Sequence, residues 1–325
     1  MVALQKITAA MFDDLYGSYL DDDDPHLRKD DWRALLIPPA DKDEPGTGYV
    51  LRDGDKIVGM LGMIFSERMI DGTSRRFCNL HSWFVDDAYR GYSLMLMRPA
   101  LRLTDHTLTD FTPTDRVCTI STRLGFRSLD SRLKILLPSP WTKGHSDIEL
   151  VDDTDQIAGR LSAADLRLMR DHTRDRFYHL LVEEGEGYCY LIFNRVDRHV
   201  MPYCHLHYIS NKSVFARHES AIRKQILRTG GGRYVAMNAR LAGDMPLRSS
   251  LTVPVSTKQL YRSSDDSPEQ VDTLYSEVSL LWLTTFPDAS HMLRRCVGRV
   301  QDILPGRSKA VNPVCNINSE PPALT

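Results

Sequence analysis

The chain has little net charge, few cysteines and no long apolar run, and each shortage removes a class of function. Lysine and arginine number 41 against 43 aspartates and glutamates, a formal charge of −2, so no general attraction to nucleic acid or to an anionic membrane is expected. No apolar stretch approaches the roughly 20 residues that span a bilayer. The opening residues, MVALQKITAAMFDDLYG, have neither a basic start nor a continuous apolar segment and are not expected to act as a signal peptide. Six cysteines (Cys78, Cys118, Cys189, Cys204, Cys296 and Cys315) are scattered without a Cys-x-x-Cys pair. That distribution fits a reduced, cytoplasmic protein better than a disulfide or zinc framework.

What is present is an ordinary globular composition. Hydrophobic residues make up 42% of the chain, enough for a sizeable core, and 325 residues exceed what one compact domain usually needs. Val2–Ile7 reads as a strand, followed from about Ala10 by a helix carrying Met11, Phe12, Leu15 and Tyr19 at helical spacing. The acidic run Asp21–Asp24 reads as a solvated loop, or as a rim for a cationic acceptor. Pro38, Pro39, Pro45, Gly46 and Gly48 mark a further loop. Asp53-Gly54-Asp55 between Tyr49–Arg52 and Lys56–Phe65, and Asp71-Gly72 before Arg76–Val85, predict two hairpin turns.

Three antiparallel strands thus lead into the stretch on which the reading turns, Cys78 to Leu103: strand, acidic turn, Arg90-Gly91-Tyr92-Ser93, and a helix over about Tyr92–Leu103 that Pro99 should kink or shorten. A strand that feeds a small-residue loop at a helix start can offer backbone N–H groups to a phosphate. Next come a strand over Thr107–Phe111 and a helix capped by Thr114 or Asp115 and stopped by Gly125. A strand over Leu129–Leu137 follows. The polar Lys143–Asp155 segment reads as linker.

The second half repeats the element order of the first without its sequence. Leu161–Leu181 reads as helix, and Glu184-Gly185-Glu186 as a turn between strands. Tyr188–Arg195 and Met201–Ser210 read as strands, Val214–Arg228 as an amphipathic helix, and Arg233–Leu241 and Tyr275–Leu283 as later strands. Gly230-Gly231-Gly232 follows a helix instead of preceding one, so a C-cap is the expectation there. Cys204, His205 and His207 alternate along a strand, with Cys204 facing away from the two histidines, so no metal site is expected.

Gly59…Phe65, Trp83-Phe84-Val85, Tyr89-Arg90-Gly91-Tyr92-Ser93-Leu94-Met95 and Thr122-Arg123-Leu124-Gly125-Phe126 together resemble the GNAT acyltransferase superfamily. The resemblance covers roughly residues 1–140 by motif and the second half by element order. It implies an α+β fold, a mixed and mostly antiparallel sheet flanked by helices, in tandem GNAT-like domains. The corresponding division is 1–140 for an acyl-CoA-binding domain, 141–160 for a linker, 161–304 for a second, degenerate domain and 305–325 for a tail. It also implies acetyl-CoA or another acyl-CoA as acyl donor, bound by Phe84, Val85, Arg90, Gly91, Tyr92, Ser93, Leu94 and Met95. The pyrophosphate would lie at the helix start and the pantetheine arm along the strand edge. Ser93 and Met95 stand where the family's loop carries small residues, and Ser121 stands where it usually carries a tyrosine acid.

For proton transfer to this donor chemistry, Asn79 and His81 share one strand face, and His81 has the better intrinsic pKa for accepting a proton from an amine. A structural histidine is the competing reading. Cys118 reads as a buried thiol without a histidine partner. The expected activity is direct transfer of an acyl group, acetyl first, to a small-molecule amine or hydroxyl, with no nucleic acid or membrane partner and the oligomeric state open. The alternative is a non-catalytic GNAT-like protein that binds a ligand or serves as a subunit. A tRNA-dependent transferase ranks below both, because no basic stripe is present.

Overall fold

The computed structural model describes residues 1–21, 27–37, 46–138, 148–173, 177–197, 201–265 and 267–281. Met1–Asp288 form one unit, and the remainder, Ala289–Thr325, lies outside the described residues with Cys296, Cys315 and the expected tail. Asp22–Asp24 of the acidic run, the prolines at 38, 39 and 45, and 141–147 of the expected linker also lie outside.

The strands are β1 (Val2–Lys6), β2 (Gly48–Asp53), β3 (Lys56–Ile70), β4 (Thr73–Val85), β5 (His106–Asp110), β6 (Arg127–Ser128), β7 (Leu133–Leu136), β8 (Glu149–Val151), β9 (Tyr178–Glu184), β10 (Gly187–Val196), β11 (Tyr203–Ile209), β12 (Val235–Asn238), β13 (Ser250–Val253) and β14 (Leu260–Arg262). The helices are α1 (Phe12–Leu15), α2 (Lys29–Leu36), α3 (Ser93–Leu101), α4 (Asp115–Arg123), α5 (Thr154–Ala158), α6 (Ala163–Asp171), α7 (Lys212–Gly230), α8 (Ala239–Ala242) and α9 (Glu277–Leu280).

They build two seven-stranded sheets, ordered β1-β2-β3-β4-β5-β14-β6 and β13-β7-β12-β11-β10-β9-β8. Both are mostly antiparallel, and each contains one parallel pair, β4 with β5 and β11 with β12. Each sheet is completed by a strand from the other half of the sequence. β7 lies between β13 and β12 in the second sheet, and β14 lies between β5 and β6 in the first.

The hairpin turns form because the chain must pass through left-handed backbone there: Gly54, Asp71 and Gly72 have φ of 59°, 50° and 75°, a region glycine enters freely and aspartate tolerates. One face of the first sheet carries Cys78, Leu80, Leu61, Met63 and Leu108 against α3 and α4, through Leu96, Met97, Ala100 and Cys118. The other packs Val50, Ile57 and Met60 against Phe12, Leu15 and Trp32 of the first helices. In the second sheet, Cys204, Leu206 and Phe193 face α7, while Tyr190, Ile192 and Phe177 pack with Leu274 on the opposite face.

Val271–Leu281 is the wedge between these layers. Leu274 belongs to the second sheet's core, Val278 packs with Phe77 and Phe111 of the first sheet, and Leu281 reaches the cluster of the first helices. Arg68 of β3 holds the wedge through an ion pair to Asp272 at 2.6 Å.

Several sequence expectations are corrected by this packing. The helix expected over Leu161–Leu181 stops at Asp171, and β9 begins at Tyr178. The run Leu180–Val182 is buried on both faces of the sheet, and a short all-apolar run has no period with which to separate strand from helix. The strand expected over Arg233–Leu241 ends at Asn238 and turns into α8. The strand expected from Tyr275 is instead the single-turn α9, with Ser279 Oγ donating to the carbonyls of Leu274 and Ser276. The segment read as linker carries β8 and α5, the helix being capped by Asp153 accepting from the Gln156 N–H at 3.0 Å.

Candidate functional site

β4 and β5 run parallel only as far as the pair Asn79↔Thr109. β5 then ends at Asp110, whereas β4 continues to Val85. Among the described residues no strand pairs with that edge of β4 from Leu80 onward, so the two strands open into a fork. Against β3 the register slips in the same place: Met60 pairs with Phe84 and Gly62 with His81, so Ser82 and Trp83 together face Leu61. This bulge is fixed by Ser82, whose φ is 50°, a left-handed conformation that bends the strand and re-aims its end.

The strand end is anchored. Phe84 stacks on Tyr19 with ring centroids 5.9 Å apart, and the Tyr19 hydroxyl donates to Asp86 at 2.9 Å. Lys56 pairs with the same carboxylate at 3.0 Å. Val85 packs against the core beneath α3.

Beyond Asp86 the chain makes a 3-10 turn over Asp87–Tyr92 that runs directly into α3. This turn already uses two of its own N–H groups, Tyr89 to the Asp86 carbonyl at 2.9 Å and Ser93 to the Arg90 carbonyl. Arg90 is ion-paired to Asp87. Gly91 has open space around its α-carbon. Tyr92 and Leu94 are 45% and 49% exposed, while Met95 lies partly buried on the hydrophobic core. Loop polarity and helix start are thus at the mouth of the fork, and Met95 is turned towards the interior.

His81 lies inside the fork, 3% exposed. Its ring covers Gly62, where any β-carbon would collide with the imidazole. Nδ1 is 3.1 Å from Ser82 Oγ, and Nε2 has no hydrogen-bond partner. Burial pushes the imidazole pKa down from its ordinary value to about 3, so this side chain is neutral at physiological pH and is a weak proton acceptor. The indole N–H of Trp83 is likewise buried without a partner.

Asn79 is fully engaged. Its amide donates to Glu277, and its oxygen accepts from Thr109 Oγ1 at 3.0 Å. Glu277 also accepts from Thr112 Oγ1 at 2.8 Å. Burial raises the Glu277 carboxyl above the usual range, partly opposed by the Thr112 and Asn79 hydrogen bonds. Asp110, at the end of β5, is raised well above it, by burial first and by the Glu277 charge second. Two buried carboxyls, the Glu277 charge disfavouring ionisation of Asp110, therefore stand at the floor of the fork. Sequence reading missed both: Asp110 looked like one polar residue in a strand, and Glu277 comes from a segment with no local signal linking it to β4.

Ser121 is not brought to His81 and Asn79. It is 1% exposed within α4, a helix that packs through Cys118 on the face bearing Cys78 and Leu80, opposite the face of Asn79 and His81 by strand alternation. Burial raises the Cys118 thiol above its ordinary value. Gly125 ends α4 at a φ of 89° and lets Phe126 turn into the core, where it is 2% exposed. In the second sheet, Cys204 belongs to the core beneath α7, and the rings of His205 and His207 stack 4.6 Å apart on the other face. Among the described residues no group of three or more metal-ligating side chains converges, and no helix is long and apolar enough to cross a membrane.

Comparison with solved structures agrees on the architecture. A GCN5-related N-acetyltransferase from Anabaena variabilis superposes with a TM-score of 0.54 at 12% identity, over 81% of this chain and 72% of that one. One from Kribbella flavida gives 0.54 at 15% identity, over 82% and 71%. A protein of unknown function from Enterococcus faecalis gives 0.51 at 11% identity, over 81% and 72%. No family profile matches the chain, and no curated protein matches it by sequence. The chain has the fold of the GCN5-related N-acetyltransferases, the GNAT fold, across its paired sheets.

Proposed function

We propose that the protein moves an acyl group, acetyl first among candidates, from acyl-CoA directly to a small-molecule amine or hydroxyl. The observation that carries this reading is the fork: the parallel pairing of β4 with β5 stops at Asn79↔Thr109 while β4 continues to Val85. A pantetheine arm is amide-rich and extended, so the bare edge over Leu80–Val85 suits it as an added strand would. The helix start at Ser93 and the guanidinium of Arg90 suit a pyrophosphate, and the open space at Gly91 lets it approach the backbone. Phe84 and Val85 set the edge, and Tyr92 and Leu94 offer exposed apolar surface at the mouth. When bound, the thioester supplies an activated acyl carbonyl, and an N–H of the β4 edge would stabilise its developing oxyanion.

In this reading His81 orients the acceptor through its free Nε2, as a neutral hydrogen-bonding group. The Asp110–Glu277 carboxyls are the better candidates for holding the proton the acceptor gives up, and Asn79 positions Glu277. Ser121, buried in α4, is left with a structural role. The unpaired, buried thiols of Cys78, Cys118, Cys189 and Cys204 suit a reducing compartment such as the cytoplasm. In the proposed domain division, 1–140 and 161–304, the acyl-CoA site lies in the first half and Glu277 is lent to it by the second.

A second reading, binding without turnover, is favoured by one observation: the imidazole in the fork is held at a pKa of about 3. Isothermal titration with acetyl-CoA and longer acyl-CoAs, followed by turnover assays on amines and amino sugars, separates the two. No heat with any acyl-CoA overturns the cofactor assignment. Binding without product on any acceptor overturns transfer and leaves the second reading.

A further inference from the structure

The wedge Val271–Leu281 is held in two unlike ways. Its first part, Val271–Tyr275, is tied by groups that keep their charge as pH rises from neutral. Arg68 pairs with Asp272 at 2.6 Å; burial opposes its charge, but Asp272, Tyr208 and Tyr275 outweigh that and raise the guanidinium. Arg240 donates to the Val271 carbonyl, and burial lowers it only to about 10. The Tyr275 hydroxyl donates to Asp171 at 2.6 Å and is raised by burial first and by that bond second. His172, its Nε2 2.9 Å from the Leu274 carbonyl, is lowered by burial first. His207, on the neighbouring strand β11, is lowered further by the same cause. Both imidazoles are thus already neutral.

The second part is α9, a single turn that is marginal by itself. Its polar seat on the first sheet is Glu277, 1% exposed, which accepts from the Asn79 amide and from Thr112 Oγ1. Both donors are neutral. Asp110 is the charged-capable group that faces it from β5, and His81, two residues along the strand from Asn79, is neutral. No cationic side chain pairs with Glu277 or Asp110 among the described residues. A buried carboxylate with neutral donors alone is costly. The protonated acid fits the same seat, because Thr112 Oγ1 can turn from donating to accepting. Burial accordingly raises Glu277 above its ordinary 4.5. A group raised in this way contributes fully below its ordinary value and loses its contribution as pH rises through the raised one.

We propose that α9 is a proton-operated latch on the floor of the fork in the first sheet: it seats on Asn79 and Thr112 while Glu277 carries a proton and leaves them when Glu277 ionises, with Val271–Tyr275 still docked. Release uncovers Asn79, and with it the inner end of the fork where β4 and β5 part at Asn79↔Thr109. It also bares Val278 and Leu281, 2% and 0% exposed in the seated state, so the open state is a minor population that grows with pH. The opening is local and precedes global unfolding. It is a property of the fold and does not depend on the acyl-transfer reading.

Hydrogen exchange of the full chain tests it, read at single amides by NMR from about pH 5 to about pH 9 and corrected for the intrinsic exchange rate. The amides of Ser279, Leu280 and Leu281, bonded to the carbonyls of Ser276 and Glu277, should lose protection at least tenfold across that series. The Leu274 amide, bonded to Asp272 Oδ1, and the amides of α7 should keep theirs. Glu277→Gln has the same shape and no charge, and should hold the protection of α9 level. Protection in the unaltered chain that stays level, or that falls in step with α7, overturns the proposal. A fall that persists in Glu277→Gln does so as well.

Discussion

Asn79 on β4 donates its amide to Glu277, 198 residues further along the chain, so the floor of the first fork is built by the last described helix. The Glu277 and Asp110 carboxyls both hold protons more readily folded than unfolded. Their contribution to stability is full below the ordinary carboxylate range and is lost as pH rises through their raised values. The double variant Asp110→Asn/Glu277→Gln should therefore gain in thermal midpoint relative to the unaltered protein as pH rises above about 4.5, in melts followed by circular dichroism.

The buried histidines act in the opposite sense. His81 and His205 are pushed down to about 3 and about 4 from 6.5, so their contribution is complete above the ordinary histidine value and is lost as pH falls from there through the lowered ones. Acid unfolding should begin below about 6.5 and shift towards lower pH in His205→Phe, read as the melting midpoint across a pH series.

As an orienting group, His81 should tolerate amide replacement. His81→Gln is expected to lower kcat/KM for acyl transfer by up to about tenfold, the worth of one neutral hydrogen bond, and to leave the pH–rate profile unchanged. A loss of a thousandfold together with a vanished acid limb would instead make it the base.

Gly62 exists for the His81 ring. Gly62→Ala should destabilise by about 1–3 kcal/mol through overpacking, measured by urea unfolding. Most of that cost should disappear when His81 is alanine as well, giving a clear interaction energy in the double-mutant cycle.

At the loop, Asp87 occupies the guanidinium that a pyrophosphate would use. Asp87→Ala should tighten acyl-CoA binding several-fold by freeing Arg90 and removing a like charge. Gly91→Ala meets no neighbouring atom, so it should change stability by less than about 0.5 kcal/mol while weakening acyl-CoA binding. Titration and melting, run on the same two samples, separate these effects.

How much of this was legible in the sequence depends on how local each signal is. The Asp53-Gly54 and Asp71-Gly72 hairpins, the Gly230–Gly232 stop of α7 and the Leu124-Gly125-Phe126 stop are written in turn and cap residues and could be read directly. Tyr178–Val182 could not, because a strand buried on both faces has no alternation to display. The fork was legible only as a strand leading to a loop. That Asn79 would be spoken for by Glu277 depends on Val271–Leu281 wedging between the sheets, a contact that no nearby residue announces.

β7 sits inside the second sheet and β14 inside the first, and this has an evolutionary reading. A gene cut anywhere between them yields two polypeptides that each lack an interior strand, with backbone donors and acceptors bared in the middle of a sheet and not at its rim. Neither half is then a portable module. However the repeat arose, the halves are now heritable only as a pair: recombination could exchange loops around either sheet, but it could not pass on one sheet without the strand that the other half lends it.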